Sequence, residues 1–330
     1  MTIKDLSRQT GYSVGTISRV LNDQPNVSEK ARRAILEAAE KSGFQLNINA
    51  KMLKQHHSNS ILVVLKGTDN QLFGALTESL QSLAVHTPYS LIMDYLDEDS
   101  NEVSHAVERC REKKPLGILF LGGNEENFRT HFGMITQPAV LVTNDGSRLG
   151  FENLSSVSSH DREAAHQAME LLIGLGHSRI GIIGGQRRVS DTARVRYAGC
   201  MDALEGKNVT VDYEGVRFSY ADGYRAAQLL LERMPELTAI FAMADVMAIG
   251  AIRALRDKGL RVPEDVSVVG YDGLPIGGYT VPTLSTVRQD TQRLAERALQ
   301  ILQQQIEEGA PAKHETIPAM VVSRESVRRI

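Results

Sequence analysis

Apolar positions recur at intervals of three and four through residues 3–39 and then give way to short, unbroken apolar runs. Ile3 and Leu6 share a face behind Thr2 as cap. Ser13 opens a second stretch carrying Val14, Ile17, Val20 and Leu21. Ser28 opens a third, 28–42, with Ala31, Ile35, Ala38 and Ala39 on one side and Gly43 as its stop. Hydroxyl caps ahead of periodic apolar residues, and a glycine behind them, predict three helices. Gly11-Tyr12 makes a tight turn between the first two. Three short helices can close a small core and leave the polar face of the second free.

From Ser60 the period changes. ILVVL (61–65), SLIMDYL (90–96), GILFLGG (117–123) and AVLVTND (139–145) read as buried parallel strands, with helices at 73–85 and 102–113 between them. A second set follows: RIGIIGG (179–185), a run near 213–218, AIFAMAD (239–245) and VSVVGYD (266–272), with helices at 161–175, 193–205, 221–234 and 246–258. Alternation of this kind predicts two doubly wound α/β lobes behind a small all-α helix-turn-helix head of about 45 residues. In open sheets ligands bind beyond the carboxyl ends of the strands. The loops beginning at Lys66, Asn144, Gly184, Ala244 and Tyr271 are therefore expected to converge on one interlobe cleft.

Charge separates the two parts. The 330-residue chain has a net charge of −3, yet residues 1–58 hold nine Lys or Arg against five Asp or Glu. A basic footprint confined to one end suits phosphate contact without general affinity for polyanions. Forty-two per cent hydrophobic residues suffice for substantial cores, and no apolar run is long enough to span a bilayer. The polar N-terminus has no signal-peptide core, so a cytoplasmic protein is expected. Two cysteines, Cys110 and Cys200, make no disulfide framework, and the only histidine pair, His56-His57, is adjacent in sequence; no metal and no cofactor are expected.

The second helix carries the chemistry of the head. Ser13, Gly15, Thr16 and Ser18 are small or hydroxylated and permit close approach of the backbone to phosphates, and Arg19 follows. Such a helix fits a major groove, with Val14 and Gly15 against base edges, Thr16 and Ser18 on phosphates and Arg19 on a guanine.

At these residues the chain resembles the lactose repressor and galactose repressor (LacI/GalR) family of bacterial transcription factors. TIKDLSRQTGYSVGTISRVLN is similar to the family's opening signature and VSEKARRAILEAAEKSGFQLN to its third helix. The resemblance implies a DNA-contacting set of Thr2, Ser13, Val14, Gly15, Thr16, Ser18, Arg19 and Asn22. It also implies a hinge helix within 46–58, where Lys51 and Leu53 would reach the minor groove, Leu53 as an apolar wedge. It further implies a body, 59–330, with a fold like that of periplasmic sugar-binding proteins, crossed three times by the chain near Ser158, Val287 and Ala319. The first lobe would be about 59–158 plus 288–318, the second about 159–287 plus 319–330. The expected function is a dimeric repressor that reads a pseudo-palindromic operator and answers to a small-molecule effector, a sugar or sugar derivative, within a carbohydrate-utilisation operon.

In the body the resemblance rests on SSHDREAAHQAMELLIGLGHSRIGIIGG, ARVRYAGCMDALE, AIFAMADVMAIGAIRALRDKGLRVPEDVSVVGYDG and PTLSTVRQD. It implies effector contacts from Arg196, Asp272 and Phe218, with Phe73, Asn144, Asp245 and Gln289 as further cleft positions. A planar guanidinium grips paired hydroxyls, a carboxylate accepts from them, and a flat ring covers an apolar sugar face. Three departures stand out. Ala244 replaces a polar Asn, removing one expected effector hydrogen bond; Leu46 stands at a usual proline; Lys51 stands at a usual arginine. The terminal MVVSRESVRRI brings no leucine heptad, so no tetramer-forming tail is expected.

Two other classes are weaker. An exported sugar-transport protein would share the body but has no use for the head. An enzyme reading rests on GIIGG at 181–185, which lacks both GxGxxG and GxxxxGK[ST] spacing, and Asp97-Glu98-Asp99 reads as a solvated loop rather than a catalytic cluster.

Overall fold

The computed structural model describes residues 3–21, 27–42, 59–67 and 70–330, and the chain divides into two units, 1–58 and 59–330. The first holds α1 (Ile3–Thr10), α2 (Val14–Leu21) and α3 (Glu29–Lys41). Leu6, Ile17, Val20, Ile35 and Ala39 form its core, with Tyr12 and Leu21 packed against them. Ser13 Oγ accepts from Thr16 N at 3.1 Å and Ser28 Oγ from Ala31 N at 3.3 Å, so the caps expected at Ser13 and Ser28 form. Gly11 takes φ +72° between α1 and α2, and Ser7 Oγ donates to the Tyr12 carbonyl at 2.7 Å, which fixes the turn. Ser42 closes α3 through its backbone N–H to the Ala38 carbonyl. Thr2, Asn22, Gly43, Leu46, Lys51, Leu53 and the expected hinge helix lie outside the described residues.

The second unit contains two six-stranded sheets. One is built from β1 (Ser60–Lys66), β2 (Ser90–Leu96), β3 (Gly117–Leu121), β4 (Ala139–Val142), β5 (Leu154–Ser159) and β11 (His314–Ile317), in the order β11-β5-β4-β3-β1-β2, with every pairing parallel. The other is built from β6 (Arg179–Gly184), β7 (Thr210–Gly215), β8 (Ala239–Ala242), β9 (Ser267–Asp272), β10 (Ser285–Arg288) and β12 (Met320–Val322), in the order β12-β10-β9-β8-β6-β7. Only β12 runs antiparallel, against β10. Each sheet repeats the same reversal of strand order, between β1 and β3 and between β6 and β8, where a doubly wound sheet opens a crevice.

Helices cover both faces. In the first lobe α4 (Gln71–Ala84) and α11 (Thr291–Glu308) bury Leu72, Leu76, Leu80, Leu294, Leu299 and Leu302 on one face of the sheet. The other face takes α5 (Glu102–Lys113) and α6 (Glu125–His131), whose Phe128 meets Phe120 edge-on at 5.0 Å. In the second lobe α7 (Asp161–Gly174) and α8 (Asp191–Leu204) cover one face, and α9 (Tyr220–Arg233) and α10 (Asp245–Asp257) the other.

Three crossings join the lobes. They fall at His160, between β5 and α7; at Gln289-Asp290, between β10 and α11; and at Pro318-Ala319, between β11 and β12. The first and middle ones lie two residues beyond the positions named from sequence, since Ser158 is inside β5 and Val287 inside β10, where it pairs with Tyr271 and Val321.

Two close approaches depend on glycine. A Cβ on Gly199 of α8 would lie 2.0 Å from the Arg162 carbonyl of α7, and one on Gly250 of α10 would lie 2.1 Å from the Tyr220 carbonyl of α9. Both contacts are with backbone, which cannot rotate away. Gly199→Ala is therefore expected to destabilise the protein by about 1–3 kcal/mol. Gly174→Ala, whose Cβ would meet nothing within 4 Å, should be neutral or slightly stabilising. Urea denaturation of the two variants against the parent checks this.

Candidate functional site

A cleft of about 330 Å³ opens between the lobes at the carboxyl ends of their strands. Its first-lobe wall is made by the loops after β1, β2, β3 and β4, and its second-lobe wall by those after β6 and β7, the first turns of α8, and the end of β9. Ala244 makes no part of it. The chain turns from β8 directly into α10 there, and Ala244 is buried in the core behind the sheet as a cap without a side-chain bond. The departure at this position therefore touches a helix start, not the lining of the cleft.

The floor is an assembly of buried polar groups. Arg196, 3% exposed, donates from Nε to Asp161 Oδ1 at 2.9 Å and from Nη1 to the Met243 carbonyl at 2.6 Å. Its guanidinium carbon lies 3.6 Å from the centroid of the Tyr271 ring, and the Tyr271 hydroxyl donates to the same Asp161 oxygen at 2.6 Å. Burial pulls against the Arg196 charge, but Asp161, Tyr271 and Asp272 hold its pKa above the usual arginine value. Beside it, Asp272 Oδ1 accepts from Gln289 Nε2 at 2.8 Å, and Gln289 Oε1 accepts from Ser159 Oγ at 2.7 Å. Burial pushes the Asp272 carboxyl well above the usual carboxylate range, with Arg196 opposing. Asp272 Oδ2 is buried and has no hydrogen-bond partner among the described residues. An unmatched buried oxygen costs about 1–3 kcal/mol unless something from outside donates to it.

Backbone strain marks the same place. Asp272 has φ +113° and Thr143, after β4, has φ +77°; both line the cleft. Non-glycine residues in this region cost about 1–3 kcal/mol each and gather at functional sites.

The first-lobe wall is held from behind by Glu102, which is fully buried at the start of α5. It accepts from Lys66 Nζ at 2.5 Å, Asn124 N at 2.7 Å and Asn127 Nδ2 at 2.9 Å, and Lys66 also donates to the Ser100 carbonyl at 2.7 Å. Asn144 reaches the Gly123 carbonyl at 3.3 Å. Aromatic rings come from both sides: Phe73 leans over Gly122 and Phe218 over Gly185, each close enough to exclude a Cβ there.

Of the effector positions read from sequence, Phe73, Asn144, Arg196, Phe218 and Asp272 line one cleft. Gln289 stands one layer behind and holds Asp272. Asp245 is elsewhere: it is fully buried, accepts from Thr286 Oγ1 at 2.6 Å and Leu274 N at 2.7 Å, and ties α10 to the chain after β9 and to β10. In the head, Val14, Gly15 and Arg19 are exposed and Thr16 and Ser18 half-buried, all on α2.

The sequence reading missed the mouth. Asp97, Glu98 and Asp99 are not a loop facing bulk water alone; they line the cleft, and Arg217 of the opposite lobe pairs with Asp99 and, at 3.5 Å, with Asp97. Burial raises the Glu98 carboxyl, with the Phe218 backbone and Arg217 opposing. A second link joins Arg194 of α8 to Glu125 of α6 at 2.9 Å, and Asp191 accepts from the Glu125 N–H at 2.7 Å. The position of Asp97, Glu98 and Asp99 just past β2, at a carboxyl end of the sheet, was the available signal. Among the described residues no group of three His, Cys, Asp or Glu could hold a metal, and no helix is long and apolar enough to cross a membrane.

Comparison with known proteins agrees with this architecture. Residues 2–47 match the family described as bacterial regulatory proteins, lacI family, and residues 169–327 match the periplasmic binding protein-like domain. The chain is 32% identical over 334 residues to the HTH-type transcriptional regulator MalR of Clostridium butyricum, covering 99% of each chain. It is 30% identical over 339 residues to the HTH-type transcriptional repressor PurR of Haemophilus influenzae, covering 100% of this chain and 99% of that one. Among solved structures, a lac repressor dimer bound to operator and an anti-inducer superposes with TM-score 0.84 at 24% identity, over 99% of both chains. The transcription regulator CcpA of Lactococcus lactis gives 0.74 at 27% identity, over 82% of this chain and all of that one.

Burial raises the Asp245 carboxyl to about 6, from a usual 3.8. The folded protein thus holds this proton more tightly than the unfolded chain. The group favours the fold below about pH 4, and that contribution is lost as pH rises through 6. Asp245→Asn is expected to gain on the parent by roughly 3 kcal/mol between pH 4 and pH 7. Urea midpoints of the pair at both pH values check it; a constant difference would contradict the assignment.

Proposed function

We propose, for a chain that belongs to the lacI family of bacterial regulatory proteins, that ligand binding in the interlobe cleft sets how strongly the helical head grips its operator. The protein is a DNA-binding transcriptional regulator, and its relatives are regulators rather than enzymes. The finer reading is a dimeric repressor of a carbohydrate-utilisation operon whose effector is a sugar or sugar derivative.

The observation that carries it is the pairing at the cleft floor of a buried cation and a buried carboxyl with one unpartnered oxygen. Arg196 and Asp272 Oδ2 together offer a donor and an acceptor to neighbouring hydroxyls, and Phe73 and Phe218 offer rings to apolar sugar faces. Solved relatives of similar fold include a transcriptional regulator CelR with cellobiose and a regulator from Enterococcus faecium with ribose, ligands of this class. Because the cleft walls belong to different lobes, a ligand that touches both favours one closure over another. Differential affinity for two closures is what a population shift requires.

In the head, α2 is the reading helix: Val14 and Gly15 approach base edges, Ser13, Thr16 and Ser18 meet phosphates, and Arg19 reaches a guanine, with Thr2 and Asn22 flanking. Lys51 and Leu53 serve the minor groove from the hinge. Two such heads on a dimer read a pseudo-palindromic site. An exposed apolar cluster on the segment after β9, Ile276, Tyr279 and Val281, supports a partner surface on the body.

Selection of duplexes from a random pool, repeated with candidate sugars, tests the whole reading. An enriched half-site repeated about a twofold centre, with affinity shifted by at least one sugar, is expected. No preference over scrambled competitor at low salt would end it. Arg19→Ala is expected to relax base preference at one position per half-site by about 1–3 kcal/mol, and an unchanged profile would contradict its role. Sedimentation at micromolar concentration should show a dimer; a strict monomer would refute the twofold version.

A further inference from the structure

We infer that the Asp97-Glu98-Asp99 loop makes the cleft selective against negative charge, so that a free hydroxylated or amine-bearing saccharide enters and its phosphorylated or carboxylated form is excluded. The inference rests on the reading of the cleft as a ligand site and adds the charge class of the ligand.

Two cations at the cleft have their charge balanced by buried carboxylates, though Arg196 keeps Nη2 for a ligand hydroxyl. Lys66 is held by buried Glu102 and the Ser100 carbonyl, and Arg196 by Asp161 and the Met243 carbonyl. With those pairs cancelled, the loop carboxylates face one remaining arginine among the described lining residues, Arg217, which Asp99 and Asp97 themselves hold. At the floor, Asp272 Oδ2 is buried without a partner among the described residues and lines the cleft, which marks it as a point of ligand contact.

Helix N-termini, the usual seats for phosphate, are each partly satisfied from within the protein. Four helices start at the cleft, and each uses a lining residue as its own cap. Asn70 takes the Leu72 N–H, Asn101 that of Ser104, Asn124 that of Glu126, and Ser190 that of Ala193. Asp191 also takes the Glu125 N–H. An anion arriving here would meet carboxylates across the mouth, where low-dielectric walls concentrate the field.

The field can be read without knowing the effector. Thr192→Cys places a thiol on the cleft wall of the full chain, while Cys110 and Cys200 are buried. Its reaction rates with a cationic trimethylammonium methanethiosulfonate and an anionic sulfonate analogue give a ratio, with exposed Val85→Cys as the outside reference. The cation:anion ratio should be roughly tenfold higher in the cleft than outside, and should fall to the reference value with Asp97→Asn, Glu98→Gln and Asp99→Asn combined. Val189→Cys, also on the wall, gives the same reading if Thr192→Cys does not fold. Ratios equal to the reference, or unmoved by neutralising the loop, overturn the inference and leave the cleft's role as a ligand site standing. A sugar phosphate that raised Tm more than its free parent would overturn it as well.

Discussion

The buried ion pair between Arg196 and Asp161 is the constraint on which the cleft is built. Asp161 opens α7 just after the first crossing, Arg196 lies in α8, and Tyr271 at the end of β9 both stacks on the guanidinium and donates to the carboxylate. Three elements of the second lobe thus meet at one buried charge pair. Removing either partner would leave the other buried and unpaired, at a cost of about 3–5 kcal/mol. From the same point the polar chain continues through Asp272, Gln289 and Ser159 to the first and middle crossings. The groups that would touch a ligand are bonded to the segments about which the lobes would turn.

That arrangement gives the cleft a rigid floor and an ionic mouth. The floor is strained at Asp272 and Thr143 and holds one buried oxygen without a partner among the described residues. The mouth is joined by Arg217 to Asp99 and by Arg194 to Glu125, contacts between exposed or half-exposed side chains that are individually weak. In the proposed mechanism, closure would depend on many small terms at the rim and on one unpartnered group at the base. A ligand bonded to that oxygen would touch a group tied through Gln289 to the middle crossing and through Ser159 to the first.

Much of this could be read from the chain itself. Uninterrupted apolar runs such as ILVVL and AVLV announced the inner strands, because a parallel strand covered on both faces needs no polar alternation. β5 escaped for the opposite reason. LSSVSS is mostly serine, yet all six residues are buried, and Ser155, Ser156 and Ser159 are satisfied by Lys313 N, His314 and Gln289. Polar composition masked a strand whose hydroxyls are matched by tertiary partners. α11 was legible but unread: Asp290 caps it, and Leu294, Ala298, Leu302 and Gln305 recur on its buried side. At the site, motif resemblance placed Arg196, Asp272 and Phe218 at the cleft but put Asp245 there too. A buried carboxylate tying loops together and one facing a ligand look alike in sequence. The acidic mouth was missed because its meaning comes from Arg217, more than a hundred residues away and on the other lobe.

The account stands on linkage between cleft and head, and linkage is reciprocal. The most direct measurement is the affinity of an effector for the protein alone and for the protein saturated with its selected operator, beside the operator affinity with and without that effector. The account predicts that both shift by the same factor, roughly 5- to 150-fold. An effector that binds the cleft with one affinity whether or not operator is present would contradict it.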